Sequence, residues 1–232
     1  MLPQMLKYKL VKQKLIRYWE RIWMKLSGRS ISGRFATKMA GLFSPPYKGR
    51  NYLARYSNEG YISPSAKISC CNISFGENIF IGDMVVIYDR ESSGNVYIDD
   101  RVCINQDTII EIGDGGCVSI GSDTHVQPRC HLSGYKGSIN IGSNVQIAPA
   151  CGFYPYDHKF DNLNEKIRNQ PLRTRGGIIL EDDVWLGYSV IVLDGVRIGK
   201  GSVIGAGSVV NKNIPPYSIA AGVPVRVIKQ RG

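Results

Sequence analysis

Between Leu180 and Val210 an aliphatic side chain returns at every sixth residue: Leu180, Leu186, Val192, Ile198, Ile204 and Val210. A helix repeats its apolar face near 3.6 residues and a strand at 2, so neither alone explains a period of six. Six is a multiple of 2, and the pattern reads as a short strand, a tight turn and another short strand. Each unit carries a smaller inward candidate four residues on, at Val184, Val190, Val196, Ser202 and Ser208. Glycine follows the aliphatic residue at Gly187, Gly199 and Gly205, where a turn needs backbone freedom. A repeat of this kind predicts a parallel β-helix in which each coil buries its apolar column against the next.

The series begins far upstream. Ile62 and Ile68 open it, and Phe75, Ile81 and Ile87 continue it after a one-residue slip. Ile98, Ile104 and Ile110 follow, then Ile120, Val126 and Leu132, then Ile141, Ile147 and Phe153. The reading is an all-β chain: a β-helix over 61–215, with out-of-phase segments near 88–97, 111–117, 133–138 and 154–177. The longest, 154–177, is polar and charged, and long loops inside a compact domain are usually functional or disordered. A β-sandwich is the alternative, but it does not hold one phase over six consecutive aliphatic positions.

Charge divides the chain. Residues 1–60 hold 13 Lys and Arg against Glu20 and Glu59, a net of +11, whereas 61–232 is near neutral. Residues 1–45 are expected to form a basic helical arm, 46–60 a linker and 216–232 a C-terminal tail. Leu6, Leu10, Leu15, Tyr18, Trp19, Ile22, Trp23 and Leu26 recur mostly at three- and four-residue spacings among lysines and arginines, as in an amphipathic helix. Such a helix suits an anionic membrane surface, its tryptophans at headgroup level, or packing on the β-helix or a neighbouring subunit. No nucleic-acid-binding motif accompanies the charge. No apolar run approaches the ~20 residues of a membrane span, and the first residues are too basic for a signal peptide. The six cysteines include no CxxC pair, which points to free thiols in a reducing cytoplasm.

The block GGIILEDDVWLGYSVIVLDGVRIGKGSVIGAGSVVNKNIPPYSIAAGVPVRVIK, residues 176–229, carries a resemblance. With its order of VWLG, GVRIG, VIGAGSVV and IPPYSIAAGVP, the chain resembles the hexapeptide-repeat acyltransferases, and most of all the sugar and polysaccharide O-acetyltransferases. Their fold is a left-handed parallel β-helix. The resemblance implies His158, in YPYDHKF, as general base on a sugar hydroxyl, with Asp157 or Asp161 orienting it. A histidine suits the task because it titrates near neutral pH. The resemblance further implies the Tyr188 amide as oxyanion donor. It places Trp185 against the pantetheine arm of acetyl-CoA, with Gly187, Gly205 and Ala206 leaving room for the extended thioester. Lys212, Arg226 and Lys229 would meet the coenzyme phosphates, and Gln127 would touch the acceptor. A homotrimer follows, since such sites form between subunits.

Three histidines allow one other reading. Similar β-helices bind zinc through three of them, but the spacing of His125, His131 and His158 does not match, so no metal is expected. His125 and His131 read instead as coil-face or substrate-rim residues. The acceptor is expected to be a sugar or lipid-linked saccharide, in surface polysaccharide or glycolipid assembly, with the enzyme cytoplasmic or peripheral at the inner face of the cell membrane. An N-acetyltransferase of an amino sugar and a non-catalytic scaffold are the alternatives.

Overall fold

A computed structural model describes residues 2–232, with side chains from Tyr8 onward. The repeat folds as a left-handed parallel β-helix with three faces of nine, seven and six strands. On the first face Ile62, Ile81, Ile104, Val126, Ile147, Leu186 and Ile204 lie in one column. The second face stacks Ile68, Ile87, Ile110, Leu132, Phe153, Val192 and Val210. The third stacks Phe75, Ile98, Ile120, Ile141, Leu180 and Ile198. From Ile81 onward every one of these is buried. The smaller inward candidates Val184 to Ser208 are buried with them.

The slips in the sequence period share one place. Steps from the third face to the first, and from the first to the second, are always six residues. Only the step from second to third varies, from Ile87 to Ile98 or from Phe153 to Leu180 for example. Every insert therefore leaves the prism at one corner, and the loop 154–177 is the largest of them.

Two segments differ from the sequence reading. The stretch read as a linker, 46–60, contains a 3-10 helix, Tyr47–Tyr56. Its Leu53 and Ala54 are buried with Met24, Ala40, Tyr61 and Phe80, because the outer first face of the first coils carries aromatics that need cover. The tail, 216–232, supplies the strand Ser218–Ala221, which extends the first face, and Arg226–Gln230, which returns antiparallel to it. Ala220 takes the inward position there with a side chain too short to register as part of an aliphatic period.

The arm is a helical hairpin, α1 (Leu2–Lys25) and α2 (Ile31–Ala40). Ser30 caps α2 by accepting from the Gly33 amide at 3.0 Å, an N-cap preference of serine. No helix among the described residues is long and apolar enough to cross a membrane. The tryptophans turn inward. Trp19 donates its indole N–H to the Met39 carbonyl at 2.8 Å and lies 5.5 Å from Trp23, centre to centre. Beside them Glu20 is buried, and its Oε1 accepts from Ser44 at 2.8 Å and from Tyr52 at 2.5 Å. Burial, then the bond to Glu20, pushes the Tyr52 phenol up to about 12 from 10.0. The neutral phenol is the docked form, so its contribution is full below pH 10 and is lost as pH rises through about 12. Tryptophan fluorescence should report the arm loosening across that window, and Tyr52→Phe should abolish that step.

Candidate functional site

The loop 154–177 is braced at its tip and at its root. In the tip, Asp157–His158 pairs antiparallel with Leu172–Arg173, and Lys159 N donates to Pro171 O at 3.0 Å. Buried Gln170 ties the outer turn through Asn162 O at 2.9 Å and Glu165 O at 3.0 Å. At the root, buried Asp194 accepts from Thr174 Oγ1 at 3.1 Å, Arg175 N at 2.5 Å and Gly177 N at 3.1 Å. Gly177 has φ +87°, and a Cβ there would lie 2.2 Å from Ser138 O, so the chain re-enters the coil through a position only glycine fits.

This hairpin holds His158 exposed. Neither neighbouring carboxylate is bonded to it. Asp157 takes Arg175 Nη2 at 3.1 Å, and Asp161 takes Arg173 Nη1 at 3.3 Å. An aspartate beside a histidine along a strand points to the opposite side of the ribbon, which leaves Asp157 to the arginine rather than to the imidazole.

A polar row runs beside the loop root on the outer second face. Tyr88, Glu111 and Ser133 are register neighbours, and Tyr154 continues the row. Glu111 is nearly buried beneath the inserts. Its Oε2 accepts from Ser133 at 3.1 Å, Oε1 meets Arg90 at 3.4 Å, and His131 Nε2 lies 3.9 Å away. His131 Nδ1 in turn lies 3.1 Å from the Tyr154 hydroxyl. Burial and the bond to Glu111 raise the Tyr88 phenol. Next to His131 in its own row is Gly152, where a Cβ would lie 3.1 Å from the Tyr154 ring. Of this cluster the sequence reading singled out only His131. The signal for the rest was the recurrence of slips in successive coils, which stacks their polar residues together.

The expected coenzyme residues lie on the last coils, next to the one that carries the loop. Trp185 stands exposed on the first face, between Gln146 and Val203. At the next corner Gly187 and Ala206 approach closely, and a Cβ on Gly187 would lie 2.6 Å from Ala206 N. Gly207 N donates to Tyr188 O at 2.8 Å, while no hydrogen bond among the described residues uses the Tyr188 N–H. Gly205 continues that column through a bond to Ala220 O at 2.8 Å. Lys212 and Arg226 line one cleft of about 510 Å³, and Lys229 lies further along the last strand, opposite Ile219. Among the described residues none of these three cations has a carboxylate within 4.0 Å.

Gln127 occupies the same turn position as Gly187 in an earlier coil, and its Oε1 is buried without a partner. His125 lines a separate cavity with Arg55, Arg101 and Asp123, where burial lowers its pKa. One chain thus gathers Trp185, Gly187, Tyr188 and Ala206 around one corner and presents His158 from another.

The family model described as bacterial transferase hexapeptide (six repeats) matches residues 177–212. Over 116 residues the chain is 47% identical to a putative acetyltransferase of Staphylococcus aureus (strain COL), covering 50% of this chain and 56% of that protein. The chain therefore spans about half the length of the curated relatives it matches. Among solved structures, AntD, an N-acyltransferase from Bacillus cereus in complex with dTDP and 3-hydroxybutyryl-CoA, superposes with a TM-score of 0.50 at 26% identity, over 74% of this chain and 79% of AntD. The polySia specific acetyltransferase NeuO superposes with a TM-score of 0.51 over 72% and 82%, and at 24% identity that likeness is one of fold. Over residues 177–212 the chain carries the bacterial transferase hexapeptide repeat, and in coil stack and relatives it is similar to hexapeptide-repeat transferases.

Proposed function

We propose that the protein transfers an acetyl group from acetyl-CoA to a hydroxyl of a sugar or lipid-linked saccharide, in the cytoplasm, during surface polysaccharide or glycolipid assembly. The observation that carries this reading is an exposed imidazole on a braced hairpin, in a coil stack that offers a free amide at the next corner and a cleft of unpaired cations on its last coil. His158 removes the hydroxyl proton as the oxygen attacks the thioester carbonyl. The Tyr188 N–H faces the oxyanion that forms, and collapse expels the CoA thiolate. Lys212, Arg226 and Lys229 hold the phosphates and Trp185 packs the pantetheine arm along Gly187, Gly205 and Ala206. The residues present fit that ligand, since the cations are uncompensated and the glycine shelf admits an extended chain.

His158 and this shelf lie at different corners of one prism. A homotrimer would set the loop corner of one subunit against the shelf corner of the next. Gln127, with its unpartnered oxygen, and the Glu111–His131–Tyr154 cluster then offer the acceptor its polar contacts.

A thiol-release assay with acetyl-CoA over free sugars, nucleotide sugars and lipid-linked saccharides tests the reading. Trp185→Ala should raise KM for acetyl-CoA about 10-fold, the usual order for deleting an aromatic anchor. Turnover confined to amino sugars would establish N-acylation instead, the activity named for AntD. Failure to bind CoA would leave a scaffold.

A further inference from the structure

The arm has more apolar surface than its docking uses. Tyr8, Val11, Leu15, Tyr18 and Ile22 along α1, and Leu26 just past its end, follow at steps of three and four, and each is between 44% and 72% exposed. At 100° per residue they form one stripe about 27 Å long. The docked face, with Trp19, Glu20, Trp23 and Met24, is a separate sector of the helix. Lys14, Arg17, Arg21 and Lys25 border the stripe on one side. On the other, exposed Phe35 and Phe43 of the hairpin continue it, their rings 6.0 Å from Trp23 and 5.9 Å from Trp19.

We propose that this stripe docks on an anionic lipid bilayer, with the helix lying in the plane of the interface. The tyrosines and aliphatic residues enter the headgroup boundary and the bordering cations meet anionic headgroups. The tryptophans take no part, because they are committed to the hairpin. Charge selects this occupant over a second copy. Residues 1–60 carry a net +11 with only Glu20 and Glu59 acidic, and Glu20 is buried, so a copy's arm would bring like charge against like. A polyanion without an apolar phase would leave the stripe in water. The inference uses only the arm and stands apart from the acyl-transfer reading.

The test is co-sedimentation of the full chain with vesicles of phosphatidylcholine containing about 30 mol% phosphatidylglycerol, chosen to give a strong surface potential, and with phosphatidylcholine alone. Binding should require the anionic lipid and weaken at high salt. Leu15→Glu with Ile22→Glu should cut binding at least ~10-fold, since charge in the stripe opposes insertion, while Tm and oligomeric mass stay unchanged. In a second variant, Tyr18→Trp should add fluorescence quenching by brominated acyl chains that the native protein lacks. Wild-type protein that ignores anionic vesicles overturns the proposal, as does a stripe variant that binds like wild type. A stripe variant that alters oligomeric mass while vesicle binding persists assigns the surface to a second copy, and equally overturns it.

Discussion

His158→Ala is expected to lower kcat for acetyl transfer by about 10²–10⁴-fold, the usual contribution of a positioned general base. KM for acetyl-CoA should hardly move, because the imidazole acts on the acceptor hydroxyl and the coenzyme is held by other residues. Asp157→Ala should do far less. Its carboxylate is 3.1 Å from Arg175 on an exposed hairpin, and pairs of that kind contribute about 0–1 kcal/mol. A loss of up to about 5-fold, through a looser hairpin, is therefore the expectation. If Asp157→Ala instead matches His158→Ala, the carboxylate orients the base during turnover and the arginine pair gives way. If neither changes kcat, the loop is not the catalytic element. Steady-state thiol release with a saturating acceptor separates the three.

The parts of this molecule legible in the sequence are those where one physical demand acts on one residue type. An inward coil position must be apolar and must recur, so the columns from Ile81 to Val210 announce themselves. The slips were legible too, but not their meaning. That they share a corner depends on which aliphatic residue belongs to which face, and this follows only once the coils are paired. Glu111 and Ser133 are outward residues buried by neighbouring inserts, and nothing in a local window distinguishes them from solvated surface. The arm shows a different limit. Its apolar residues serve two surfaces, and spacing alone could not divide Trp19 and Trp23, which dock, from Tyr18 and Ile22, which stay exposed. Composition made 46–60 look like a linker because its 3-10 helix buries only Leu53 and Ala54.

Asp194 was equally hidden, since LDG reads as an ordinary turn, and its replacement is expected to have the largest structural effect. One carboxylate accepts from Thr174 Oγ1, Arg175 N and Gly177 N at the loop root. Hydrogen bonds to a charged group are worth about 1.5–3 kcal/mol each, and a buried donor left without its acceptor adds a penalty. Asp194→Ala should thus favour loop opening by roughly 3–5 kcal/mol, three such bonds discounted for the exposure of Thr174 and Arg175. The coils above and below keep their own columns, so the cost falls on a local opening rather than on global unfolding. Amide exchange across 156–177 should accelerate by about 10²–10⁴-fold, while the coil strands exchange as before. kcat should fall in parallel, because the same root sets where His158 stands. Asp194→Asn keeps one acceptor oxygen and should give an intermediate rate on both readouts. Fast exchange with undiminished kcat would show that the hairpin tip alone positions the imidazole. Unchanged exchange would show that Gln170 and the antiparallel pair hold the loop without its root.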